Sequence, residues 1–255
     1  MTTHTQEQKN NVDFSFLRLH SVQIFKKLNE IKAISFDLDD TLYDNRPIII
    51  AAVQAQNDYL KQLDLWPKTA EFWHDCRNQV IIEQPHLIDN VTMWRQCALY
   101  FGLKQIGYCD ADAKHHANMA YQAFAEARSN IIVADEVLLL LKALRTRFKI
   151  IAITNGNVDV DQFNLKGHFD LVLMAGRDGK AKPHPELFDL AAWHFDLSLG
   201  HILHVGDSLD TDVQGANIAG CMSAWLENQF TPYRYKGLAH LTIKEISELQ
   251  QLLID

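Results

Sequence analysis

Four regimes of hydrophobic patterning succeed one another along the chain. Residues 1 to 13 (MTTHTQEQKNNVD) are polar and aperiodic and predict a disordered tail, and the scattered apolar positions between Phe14 and Asn29 fit a short helix or a lead-in. At Ile31, Ala33, Ile34 and Phe36 an apolar, β-leaning run predicts a buried strand. From about Arg46 to Val133 apolar positions recur at helical spacing, as in Ala52, Val53, Tyr59 and Leu60, then Cys76, Val80 and Ile81, then Ala98, Leu99 and Phe101, then Ala120, Phe124 and Ala127. Breaks at Trp66-Pro67, at Gln84-Pro85 and across Gly102 to Asp110 divide this block into about four helices.

Strand and helix patterns then alternate. A helix opening at Asp135 carries its apolar face on Val137, Leu138, Leu140, Leu141 and Leu144, with acids in its first turn and bases later, as the helix dipole prefers. Strand patterns follow at Phe148 to Ile153, in HFDLVLMAG, in HILHVGD and, last, in CMSAWLEN. Between them lie helices at about Val158 to Leu165, Glu186 to Phe195 and Asp212 to Gly220, and TIKEISELQQLL predicts a closing amphipathic helix. Five strands separated by helices imply a parallel sheet with right-handed crossovers. The fold class is α/β: a Rossmann-like parallel-sheet core at residues 31–45 and 134–255, an all-helical insert at 46–133, and a tail or lead-in at 1–30.

Composition narrows the partners. With 255 residues and 47% hydrophobic content the chain can bury a full core as one large domain or two modest ones. No run approaches a membrane-spanning length and no charged-apolar-small leader opens the chain, so the expectation is a soluble, cytoplasmic protein without a membrane partner. Lys plus Arg number 24 against 32 Asp plus Glu, a net charge of −8, which argues against a nucleic-acid polymer and requires local groups to attract any anionic substrate. Cys76, Cys97, Cys109 and Cys221 show no paired spacing and read as reduced packing residues. The His115-His116 pair reads as solvated, and the sequon at Asn90 carries no meaning in a cytoplasmic chain.

The candidate chemistry sits at strand ends. Asp37, Asp39, Asp40 and Asp44 follow the first core strand within eight residues, where mutual repulsion raises their pKa values unless a cation intervenes. A solvated Asp-rich turn is the alternative reading, but a hard divalent ion wanting oxygen ligands accounts for the clustering. Parallel strands bring their C-terminal loops to one edge, so Asp37 and Asp39, Thr154 and Asn155, Lys182, and Asp207 and Asp212 can converge. The Thr154 hydroxyl and the amides of Asn155 and Gly156 suit phosphate oxygens, unless Thr154 is only a helix cap. Lys182 offers a compact positive charge, and Asp207 and Asp212 offer carboxylates, the second of them also a possible cap. An all-oxygen set without Cys or His points to Mg²⁺.

DxDxT at a strand end (DLDDTLYD), the lysine segment KPHPELF and the GDxxxxD spacing together resemble the phosphatase branch of the haloacid dehalogenase superfamily. The resemblance implies that Asp37 is a nucleophile that becomes a phospho-aspartate and that Asp39 is the general acid and base, with its backbone carbonyl on the metal. It implies that Lys182 lies near the phosphate and Asp37. Asp207 would bind the ion directly, and Asp212 would support a metal-bound water or Lys182, so that Asp37, Asp39, Asp207 and Asp212 form the metal set. The helical insert corresponds to a C1 cap closing over the acidic loop, and the first core strand becomes central.

Over about residues 31 to 228, the segments FDLDDTLYDNRP, DNVTMWR, AITNGN, AGRDGKAKPHPELF and ILHVGDSLDTDVQGA are similar to a bacterial subgroup acting on flavin mononucleotide (FMN) and on 5-amino-6-(5-phosphoribitylamino)uracil. The implied partner is a small phosphate ester; the oligomeric state is left open. Arg46, Trp94 and Arg95 are the cap candidates for substrate contact, with Trp94 spaced equally well for the cap core. Other chemistries on related architectures compete. Dehalogenases lack the second acid, since a halide needs no protonation, and transport ATPases need membrane helices; phosphomutases keep both acids. A receiver-like signalling domain also groups acids, a Thr and a Lys around a phospho-Asp, in about half this length and without a cap.

Overall fold

A strand that is apolar on both faces has no side to offer water, and the centre of the sheet is built from such strands. The computed structural model describes residues 22–63, 70–227 and 237–254. In it β2 (Ala33–Phe36) is buried throughout and pairs in parallel with β3 (Lys149–Thr154) on one side, Ile34 opposite Ile150, and with β5 (Ile202–Gly206) on the other, Ile34 opposite Leu203. With β1 (Gln23–Ile24), β4 (Leu171–Met174), β6 (Met222–Leu226) and β7 (Leu241–Ile243), the sheet runs β1-β7-β6-β5-β2-β3-β4. Its neighbours are parallel except β1, which is antiparallel to β7.

Alternation along the strands divides the core in two. Ile34, Phe36, Ile150 and Ala152 face Val137, Leu140, Leu141 and Leu144 of α5 (Asp135–Leu144), while Ala33, Ile151 and Ile153 face Leu187, Phe188 and Ala191 of α6 (Glu186–Phe195). Between β2 and α5 the chain forms α1 (Asn45–Leu60), α2 (Ala70–Glu83), α3 (Val91–Gln105) and α4 (Asp110–Arg128). Ala113, Ala117 and Ala120 give α4 a small-residue stripe on which Leu60 of α1 and Leu99 and Leu103 of α3 close. Among the described residues no helix is long and apolar enough to cross a membrane.

Several expectations are corrected. Among the described residues the sheet has seven strands rather than five. β1 forms within the stretch read as a helix or lead-in, and β7 takes Thr242 and Ile243 from the closing helix. Those β-branched residues extend the sheet past β6, and what remains is a 3-10 helix at Ile246–Leu253 whose Leu249 still packs into the core. The helix expected at 158–165 is reduced to a 3-10 turn, Val160–Gln162, capped by Asp159. The helix expected from Asp212 is a π turn, Leu209–Val213, followed by α7 (Gln214–Ala219). The break expected across Gly102 to Asp110 falls between the end of α3 at Gln105 and the start of α4 at Asp110; Gly102 itself is still helical, and a Cβ there would stand 2.5 Å from the Trp73 ring. The tail at 1–13 and the Trp66-Pro67 break lie outside the described residues.

Asp170 ties α5 to the start of β4: Oδ2 accepts from the Ile150 amide at 2.9 Å and Oδ1 from Arg145 Nη2 at 2.6 Å. Burial alone would raise its pKa, but those two donors outweigh it and hold the carboxyl below its usual value. A depressed folded-state pKa stabilises above the unfolded value of about 4 and is lost as pH falls through the folded one. Asp170→Asn should therefore be less stable than the parent by about 1 kcal/mol at pH 7 in urea unfolding, with the gap narrowing as the pH falls below the ordinary carboxylate range.

Candidate active site

The loop after β2 divides its four acids between architecture and chemistry. Asp44 caps α1, its side chain accepting from the Arg46 amide, and Asp40 accepts from the Asn45 amide at 2.8 Å. Asp40 also takes the left-handed backbone (φ 59°) that Asp tolerates in tight turns, which turns the chain back so that its amide donates to the Tyr43 carbonyl. Asp37 and Asp39 are left for the site.

Lys182 joins the loops. Its ammonium is buried and directs all three protons inward, to Asp37 Oδ1 at 2.7 Å, Asp212 Oδ1 at 2.7 Å and the Ile153 carbonyl at 2.6 Å. Asn155 holds the backbone of this lysine from both sides, donating from Nδ2 to its carbonyl at 2.9 Å and accepting its amide at Oδ1 at 2.8 Å. This is a role the sequence reading did not give Asn155. Thr154 is fully buried; its Oγ1 accepts the Gly156 amide at 2.9 Å, which leaves the hydroxyl proton as the donor of that turn. A Cβ on Gly156 would stand 2.7 Å from Asp39 Oδ2, so a side chain there would displace the acid.

Asp212 returns to the site through the π turn after β5, a wide turn of a kind common at functional sites. Its Oδ2 accepts the Ser208 amide at 2.9 Å, and His204 Nε2 lies 3.4 Å from Oδ1. Burial and the nearby Lys182 push the His204 pKa down to about 4. The ring is therefore neutral at pH 7 and can donate to Asp212 while Nδ1 accepts from the Ser35 hydroxyl at 2.8 Å. Burial alone would raise the Asp212 pKa; Lys182 and His204 outweigh it and hold the carboxyl well below the usual range. Gly206 is required by the same approach, since a Cβ there would fall 2.3 Å from Asp212 Cγ.

Carboxylate oxygens of Asp37, Asp207 and Asp212 lie within 4.8 Å of one another. Burial pushes Asp37 upward, and the charges of Asp212 and Asp39 add to it against the pull of Lys182. Asp207 is raised to about 6 by burial, Asp212 and Asp40. Thr41 Oγ1 donates to its carboxylate at 3.4 Å, and Trp225 Nε1 donates to its backbone carbonyl at 2.8 Å. Counting Asp39, four carboxylates face two cations, Lys182 and Arg128. An all-oxygen donor set with two negative charges in excess fits a hard divalent cation.

Asp39 has partners the sequence did not reveal. Tyr43 Oη donates to its Oδ1 at 2.6 Å, and Nη2 of Arg128, the last residue of α4, donates to the same oxygen at 2.5 Å. Burial and the Asp39 charge push the Tyr43 phenol up, so it is a neutral donor. Arg128 ends α4, where any helix accepts a base, and Tyr43 stands two residues after DxDxT, so neither position stands out in the sequence. Three further contacts seat the insert on the core: Asn157 Nδ2 to Thr92 Oγ1 at 3.1 Å, Asn90 Nδ2 to the Gly176 carbonyl at 3.3 Å, and the Ala181 amide to Asp89 Oδ1 at 3.2 Å.

The three cap candidates separate. Arg46 is exposed, and its amide donates to Asp44. Trp94 packs with Val80, Leu87 and Ala98 inside the insert and donates from Nε1 to the Arg77 carbonyl at 2.9 Å, which makes it part of the insert's own core. Arg95 donates to Gln56 Oε1 at 3.1 Å, lies 3.8 Å over the Phe124 ring and is close enough to Arg128 for the two cations to repel. It lines a cavity of about 130 Å³ within the insert, together with Val53, Gln56, Asn57, Trp73 and Arg77.

The chain is similar to known proteins over most of its length. Residues 31–220 match the family model described as haloacid dehalogenase-like hydrolase. The chain is 32% identical over 240 residues to the 5-amino-6-(5-phospho-D-ribitylamino)uracil phosphatase YigB of Escherichia coli K12, covering 91% of this chain and all of that one. It is 25% identical to a phosphoserine phosphatase of Thermus thermophilus, covering 86% of this chain and 98% of that one. A solved structure described as a 2-haloacid dehalogenase from Pseudomonas syringae pv. Tomato superposes with a TM-score of 0.81 at 31% identity, covering 88% of this chain and 98% of that one.

Removing the buried ammonium leaves Asp37 and Asp212 facing each other without their cation. Lys182→Met should lower stability by about 3–5 kcal/mol in urea unfolding. Because the penalty is electrostatic, adding Asp212→Asn should restore at least about 1 kcal/mol of it. Additive losses in the double variant would contradict the described geometry.

Proposed function

We propose that this chain, which belongs to the haloacid dehalogenase-like hydrolase family, is a phosphatase that hydrolyses phosphomonoesters through a phospho-aspartate on Asp37. The observation that carries the reading is the pairing of two carboxylates in different settings. Asp37 is fixed by Lys182, and Asp39 lies two residues on, held through one oxygen by Tyr43 and Arg128. A nucleophile needs a fixed, desolvated oxygen, and a leaving alkoxide needs a proton donor. A departing halide needs none, so the second acid favours ester cleavage over dehalogenation, despite the dehalogenase named among the structural neighbours.

In the first step a carboxylate oxygen of Asp37 forms a bond to phosphorus as the bond to the ester oxygen breaks, and the proton on Asp39 passes to that oxygen. In the second, Asp39 takes a proton from a water whose oxygen attacks the same phosphorus; the Asp37–phosphorus bond breaks and inorganic phosphate leaves. The Thr154 hydroxyl and the Asn155 amide hold phosphate oxygens, the Gly156 amide being taken by Thr154 Oγ1, and Lys182 offsets charge on the phosphoryl group and on Asp37. Asp37, Asp207 and the Asp39 carbonyl would hold Mg²⁺, with Asp212 supporting Lys182 and the ion's surroundings. When bound, the ion neutralises charge on the phosphoryl oxygens.

The substrate we infer is a riboflavin-pathway phosphate, foremost 5-amino-6-(5-phosphoribitylamino)uracil, with FMN second. The phosphatase name of the 32% identical relative supports this, as does the insert cavity, whose size suits a single heterocyclic ring better than three fused ones. Arg95 lines that cavity; burial and the neighbouring Arg77 push its pKa down to about 10, so it remains a cation at pH 7 able to meet ring carbonyls. A broader sugar or nucleotide phosphatase is the second reading.

Phosphate release from a panel holding the ribitylaminouracil phosphate, FMN, sugar phosphates and nucleotides tests this. The expected result is a preference for the uracil compound, activity abolished by chelator and restored by Mg²⁺, and loss of at least about 10³-fold in Asp37→Asn with its melting transition retained. Wild-type turnover in Asp37→Asn would overturn the mechanism. Equal rates across the panel would leave the broader phosphatase.

A further inference from the structure

Arg128 is 2% exposed; among the described residues its Nη2 donates to Asp39 Oδ1, the Tyr43 hydroxyl lies against the same guanidinium, and its Nη1 is buried with no hydrogen-bond partner. A buried guanidinium with a donor unmet is costly, and a salt bridge to a half-buried carboxylate does little to offset that for stability. The geometry at Asp39 supplies another reason for it. Arg128 and Tyr43 both donate to Oδ1, which fixes the rotation of the carboxyl group and turns Oδ2 toward Gly156, beside Thr154 and the strand end that carries the phosphate-binding donors.

We propose that Arg128 is a positioning residue for the general acid. Supplied by the last turn of the insert, it locks Asp39 with Oδ2 facing the leaving oxygen. The acid is then aligned only when α4 is seated, which couples the insert to bond cleavage and not only to substrate choice. This rests on the phosphatase reading above, in which Asp39 protonates the departing alkoxide. The proton it delivers goes to the ester oxygen as the phosphorus–oxygen bond breaks, and no other reactant is required.

The test compares leaving groups. An alkyl phosphate needs its oxygen protonated, whereas p-nitrophenolate leaves without help, and kcat/KM reports the first phosphoryl transfer before the shared hydrolysis step. Arg128→Ala should lose about 10²–10³-fold in kcat/KM on alkyl phosphates and less than about 10-fold on p-nitrophenyl phosphate. Added guanidinium should restore part of the alkyl activity, and Arg128→Lys should fall between. Tyr43→Phe, which keeps the cation, should show the same selectivity to a smaller extent and serves if Arg128→Ala does not fold. Equal losses on both substrate types in the folded variants would overturn the proposal and make Arg128 a tether of the insert, with the phosphatase reading intact. Absence of wild-type turnover on either substrate would strike that reading itself.

Discussion

A single ammonium, that of Lys182, sets the terms for the rest of this molecule. A buried cation is tolerable only if its protons all find oxygen, and here each one does: two carboxylates and a strand carbonyl. Those oxygens come from the ends of β2 and β3 and from the turn after β5, strands that are adjacent in the sheet although the chain runs through the helical insert between the first and second. The parallel sheet is thus the device that lets residues 37, 153, 182 and 212 meet. The reciprocal Asn155 bonds to the Lys182 backbone, the wide turn before α7 and the missing Cβ at Gly206 follow as local conditions for that meeting.

The surplus of negative charge left after Lys182 is satisfied gives the site its chemistry. Asp37 and Asp207 are both pushed upward by burial and by neighbouring carboxylates, a cost that a divalent cation would relieve and that a phosphate dianion alone would worsen. Arg128 adds the second cation, and it arrives from the insert and not from the sheet. The electrostatics of the catalytic edge are therefore shared between two parts of the fold. Arg95, on α3, lies close enough to Arg128 for the two cations to repel, so the insert's own charges bear on that edge as well.

Much of this was legible in the sequence because it depends on strand ends and short spacings. Asp37, Thr154 and Asp207 stand at the ends of apolar β runs, with Lys182 and Asp212 in the loops beyond, and the parallel topology brings those ends together. The α6 boundaries, Glu186 to Phe195, follow from its apolar periodicity and emerge as expected. What was not legible depends on contacts across long separations. Arg128 is 89 residues from Asp39 and sits where any helix would welcome a base. His204 is hidden in an apolar strand as the partner of Ser35. The edges of the sheet failed for another reason. Thr242 and Ile243 satisfy a helical period and a strand equally, and only the open edge of β6 decides between them. Trp94 shows the same ambiguity inside the insert, where an indole at helical spacing served packing.

The most direct test of the central claim is to look for the covalent intermediate. The enzyme is mixed with a phosphomonoester and Mg²⁺, quenched in acid within the first turnovers, digested, and weighed by mass spectrometry. A phosphoryl group on the peptide containing Asp37, lost on longer incubation and absent from Asp37→Asn, is the result this chemistry requires. Phosphate released with no phosphorylated peptide at any time, or with the group on another residue, would contradict it.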